Sequence, residues 1–152
     1  MMAMPTMGAY SASKFALEGA SEALWYELRP WNIQVVLVQP GFVHSESFHR
    51  VRWSAGAETS ATGRDGYTVY YETMGAFIGR LMNSSLASPE SIARKIMRSM
   101  EKRRPKLRVP ATPDAYFFYL LRRLLPRRWY HWILYRNLPD ISRWGAAHED
   151  QQ

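Results

Sequence analysis

Apolar side chains recur at helical intervals over residues 9–29. Leu17, Ala20, Leu24 and Leu28 form a stripe, with Glu18, Glu22 and Arg29 away from it. The spacing predicts one helix, stopped by Pro30. Gly19 costs about 1 kcal/mol against alanine in a helix interior, so a close backbone approach is expected there. Ile33 to Val38 is a nearly unbroken aliphatic and β-branched run, the pattern of a parallel strand buried on both faces. Pro40-Gly41 ends it. Residues 46–88 are irregular and polar, with Phe48, Trp53, Tyr67, Tyr70, Tyr71 and Phe77 spread through them and a helix expected over 68–83. A stretch of this length reads as a functional lid, a disordered loop or plain aromatic packing. Ser88-Pro89-Glu90 opens another helix with a hydroxyl cap, a proline and an acid in the first turn. Its apolar stripe is Ile92, Ile96, Met97 and Met100, and Arg103-Arg104-Pro105 closes it. Leu107-Arg108-Val109, between prolines, reads as a short edge strand. Thr112-Pro113-Asp114 repeats the capping pattern for a helix to about Leu125, and Pro126 separates it from a second to about Arg136. Residues 137–152 read as a polar, frayed tail.

Composition narrows the class. A chain of 152 residues with 47% hydrophobic and 22% charged side chains suits one globular domain. The absence of cysteine excludes disulfides and thiolate metal sites. The first ten residues, MMAMPTMGAY, lack the basic and apolar regions of a signal peptide, and no apolar run reaches the roughly 20 residues of a membrane-spanning helix. A cytoplasmic location is expected, with peripheral membrane contact as the minority outcome. His44, His49, His131 and His148 show no ligand spacing, so no metal site is expected. The net charge of +7 is concentrated: Arg94 to Arg136 carries thirteen Lys or Arg against Glu101 and Asp114. Nucleic-acid contact, an anionic membrane surface and a solvated basic face compete as readings. The solvated face is favoured because no nucleic-acid motif accompanies the charge. Arginines flanked by Trp129, Tyr130, Trp132 and Tyr135 suit an interfacial helix or a C-terminal pair docked on its own domain, and the docked arrangement is preferred.

The candidate chemistry lies at the head of the first helix. Tyr10 and Lys14 stand four residues apart, which places their Cβ atoms about 5–6 Å apart on one face. A phenol with a reference pKa of about 10 is a poor base at neutral pH, and a nearby cation favours its ionised form. Tyr10-Ser11-Ala12-Ser13-Lys14, followed by Pro40-Gly41-Phe42-Val43-His44-Ser45, resembles the Y-x-A-S-K and P-G-x-V-x-T segments of the short-chain dehydrogenase/reductase family, with Ser45 where threonine is usual. The likeness is greatest to members acting on steroids, retinoids and similar apolar alcohols or ketones.

The resemblance implies a partial Rossmann-like, doubly wound parallel sheet of the α/β class with a helical C-terminal extension. It implies NAD or NADP as cofactor and a small apolar alcohol or ketone as substrate. Tyr10 would be the general acid/base, and Lys14 would tune it and hold the nicotinamide ribose. Pro40, Gly41, the Val43 backbone and the Ser45 hydroxyl would contact the nicotinamide end. It also implies a homo-oligomer through helix 9–29. No nucleic-acid partner is expected, and a weak membrane-surface contact is retained. The family's glycine-rich cofactor loop, Asn-Ala-Gly turn and catalytic serine would fall before Met1, and no G-x-G-x-x-G occurs in the chain. The chain therefore reads as a C-terminal half: residues 1–110 from the dinucleotide-binding domain, 111–136 the helical extension and 137–152 the tail. Exposed faces are expected on 33–38 and 17–28, and tight dinucleotide binding is not expected of the chain alone. The alternative is an inert truncated protein acting only by dimerisation or membrane-surface association.

Overall fold

A computed structural model describes residues 2–44, 54–63 and 66–145. Among them run helix α1 (Gly8–Leu28), strand β1 (Leu37–Gln39), helices α2 (Ala55–Thr62), α3 (Thr68–Asn83) and α4 (Pro89–Met100), strand β2 (Arg108–Pro110), and helices α5 (Pro113–Leu124) and α6 (Arg127–Arg136). β1 and β2 pair in parallel, Leu37 opposite Arg108, Val38 opposite Val109 and Gln39 opposite Pro110. The class is α/β, mostly helical around a two-stranded parallel sheet, as expected for part of a doubly wound fold.

Local signals set most boundaries. Ser88 Oγ accepts from the Ser91 amide and Ser91 Oγ accepts from the Ser88 amide, a reciprocal cap that starts α4. Thr112 caps α5 by accepting from the Ala115 amide. α2 was not expected; Ser54 starts it by accepting from the Ala57 amide at 3.3 Å. α1 ends at Leu28, as expected of a stop at Pro30, which sits within a following 3-10 turn, Arg29–Trp31; the chain then turns at Asn32, which has a φ of 57°.

Three expectations need correction. The strand expected over 33–38 is short and shifted, because a ladder extends only as far as its partner and β2 has three residues. Ile33 is exposed and Val36 to Val38 are half-buried rather than buried on both faces. A methyl group built on Gly19 meets nothing within 4 Å, so no close approach explains that glycine. Residues 137–145, expected to fray, are folded back instead. Ile141–Arg143 form a 3-10 turn, the Trp144 ring lies 4.5 Å from that of Tyr70, and its Nε1 donates to Thr73 Oγ1 at 3.1 Å.

Among the described residues, the buried apolar side chains are Met74 and Ile78 of α3 and Tyr130 of α6. As expected, α1 leaves Leu17 and Leu24 exposed. On α4, Ile96, Met97 and Met100 are open as well. A groove of about 420 Å³ runs between alternate residues Gln34, Val36 and Val38 and the Ile96, Ser99 and Met100 side of α4. Among the described residues, none of the candidate site residues lines it.

Candidate active site

α1 carries the two chemical residues. The Lys14 Nζ lies over the Tyr10 ring, 5.5 Å from its centroid, a cation–π contact of about 0.5–1 kcal/mol at an exposed position. Tyr10 is 56% exposed, so its ring is open to a ligand. Steps of four residues continue down the helix to Glu18 and Glu22. There Arg108 Nε donates to Glu18 Oε1 at 2.7 Å and its Nη2 to Glu22 Oε2 at 2.6 Å. These two hydrogen bonds outweigh partial burial and raise the guanidinium's pKa further above its usual value. Arg122, near the end of α5, lies over the Phe15 ring at 5.2 Å, beside Lys14. Helix α1 is thus tied to β2 and to α5.

The second segment follows the carboxyl end of β1, the edge at which open α/β sheets take ligands. The Gly41 amide donates to Thr112 Oγ1 at 2.9 Å and the Phe42 amide to Asp114 Oδ2 at 2.8 Å. Ser85 Oγ donates to the Phe42 carbonyl at 2.5 Å, and the His44 amide to the Ala87 carbonyl at 3.0 Å. A Cβ on Gly41 would sit 1.9 Å from Asp114 Oδ2, so the carboxylate would have to swing aside for any larger residue. Among the described residues no hydrogen bond engages the Val43 amide.

Tyr10 and Lys14 are therefore brought together, and Pro40, Gly41 and Val43 form one pinned turn. Ser45 lies outside the described residues, as do Phe48, His49, Trp53 and His148. Sequence reasoning missed Arg108, Thr112, Asp114 and Ser85. Thr112-Pro113-Asp114 was legible as a helix cap, but nothing in its spacing marks a partner about 70 residues upstream.

Residues 1–55 match the family model for short chain dehydrogenases. A probable short-chain type dehydrogenase/reductase, VdlC of Helicobacter pylori, is 32% identical over 130 residues, covering 85% of this chain and 45% of its own. The chain belongs to the short-chain dehydrogenase/reductase family. NADPH-dependent 3-dehydrocapnine reductase of Ornithobacterium rhinotracheale is 27% identical over 143 residues, 94% of this chain and 49% of that one. A 3-ketodihydrosphingosine reductase of Bacteroides thetaiotaomicron is 61% identical over 41 residues, 27% of this chain and 15% of that one. This short-chain dehydrogenase/reductase chain spans less than half the length of the curated relatives it matches.

Proposed function

We propose that the complete protein is an NAD(P)-dependent oxidoreductase that interconverts an alcohol and a carbonyl on a bulky apolar substrate. The observation that carries this reading is the exposed Tyr10 ring with the Lys14 ammonium over it, inside the segment that matches the family. The donor chemistry suits the nicotinamide end of a dinucleotide. Lys14 offers N–H donors and positive charge for ribose hydroxyls, and the Val43 amide has a donor to give. Ser45 would add a hydroxyl. When bound, the cofactor would supply or accept a hydride. Tyr10 would hold and pass the proton at the substrate oxygen, and Lys14 would place positive charge beside the phenolate as it forms.

Two relatives are named for reducing 3-dehydrocapnine and 3-ketodihydrosphingosine, and this favours a bulky apolar ketone for this chain as well. Purified full-length protein should oxidise NADPH or NADH faster with long-chain 3-keto compounds than with small ketones of equal reactivity. Equal rates across that panel would remove the apolar-substrate part of the proposal.

The proposal includes two contacts. The exposed Leu17 and Leu24 of α1, seven residues apart on one face, would pair with a second copy. Phe117, Leu124, Trp129 and Trp132 are exposed beside the arginines of α5 and α6, which supports a weak contact with an anionic membrane surface. On the present chain alone, dinucleotide binding would be weak, since its 152 residues hold no glycine-rich turn for the pyrophosphate.

A further inference from the structure

We propose that Asp114, together with Thr112, is a positioning residue that presents the turn after β1 to the cofactor with a single free donor, the Val43 amide. The inference rests on the reading of that turn as the nicotinamide-side contact.

The start of α5 does two jobs at once. Thr112 Oγ1 accepts from the Ala115 amide of its own helix and from the Gly41 amide of the turn. Asp114 belongs to the first turn of α5, where a carboxylate is favoured by the helix dipole, yet its Oδ2 also accepts from Phe42 N at 2.8 Å. A charge-assisted acceptor of this kind is stronger than a neutral one. The His44 amide is engaged by the Ala87 carbonyl. Three of the four amides over residues 41–44 are therefore taken by the protein. Among the described residues, only that of Val43 is left to donate to a ligand.

The carboxylate also lies where a Gly41 side chain would be, so a larger residue there would push Asp114 off the Phe42 amide. The same span, residues 108–122, grips α1 through Arg108 on Glu18 and Glu22 and through Arg122 on Phe15. The β2–α5 unit thus fixes both the turn and the helix that carries Tyr10 and Lys14. Without Asp114 the Phe42 amide would be released, the turn could rotate, and the Val43 donor would lose its fixed aim.

The test is made on the full-length enzyme with Asp114→Leu, Asp114→Asn and Tyr10→Phe in one assay. Two readouts are taken: the cofactor KM against the carbonyl-substrate KM, and hydrogen exchange at the Phe42 amide. Asp114→Leu should raise the cofactor KM about tenfold or more, leave the substrate KM within about twofold, and speed Phe42 exchange. Asp114→Asn keeps an acceptor and should recover most of the cofactor affinity. A purely structural role would lower the melting temperature without this split. Faster Phe42 exchange with an unchanged cofactor KM overturns the proposal, and so does an Asp114→Asn enzyme as impaired as Asp114→Leu. If Tyr10→Phe is inactive while Asp114→Leu binds cofactor normally, the positioning role alone fails. A Tyr10→Phe enzyme of near-normal rate takes down the oxidoreductase reading and this proposal with it. Should Asp114→Leu not fold, Thr112→Val with Thr112→Ser as its rescue makes the same comparison at Gly41.

Discussion

The Tyr130 phenol is buried, and its hydroxyl has no hydrogen-bond partner among the described residues. Burial pushes its pKa above the usual value, with the nearby Arg122 charge opposing the shift more weakly. A buried unpaired hydroxyl is destabilising, whereas the ring itself packs. Tyr130→Phe should therefore raise stability by about 1 kcal/mol in urea unfolding. The sign with pH follows from linkage. Above about pH 10 the unfolded chain ionises this phenol while the folded chain keeps its proton, so stability falls as pH rises. The difference between wild type and Tyr130→Phe should widen over that range. A variant that is less stable than wild type at neutral pH would mean that the hydroxyl has a partner.

At the scale of elements, the bond between β2 and α1 is the one to break. Arg108 holds Glu18 and Glu22, whose side chains are 16% and 41% exposed, and its own is 30% exposed. Arg108→Met should cost about 1–3 kcal/mol, because it leaves two like charges one helical turn apart, one of them largely buried. The loss should shrink when Glu18 and Glu22 are both glutamine, and strict additivity would argue against the network. Elements framed by local chemistry were legible in the sequence. The Ser88 and Thr112 caps, Pro126 and the four-residue step from Tyr10 to Lys14 all act within one or two turns. What was not legible depended on distant partners. The extent of β1 is set by β2, the partner of the Phe42 amide by Asp114, and the seat of Trp144 by Tyr70 and Thr73. Gly19 shows the converse: a glycine that suggested close packing meets open space.

At the scale of the whole molecule, the apolar faces of α1 and α4 are open, so the isolated 152-residue chain should sediment as a dimer or larger species rather than a monomer. Glutamate at both Leu17 and Leu24 should shift it towards monomer, and an unchanged distribution would place the contact elsewhere. The account as a whole turns on the Tyr10 proton. Its most direct test is steady-state turnover of the full-length protein and its Tyr10→Phe variant, with cofactor titration of each. The predicted result is a rate loss of at least about a hundredfold, with cofactor affinity within about threefold of wild type. A Tyr10→Phe protein that turns over at near the wild-type rate would contradict it.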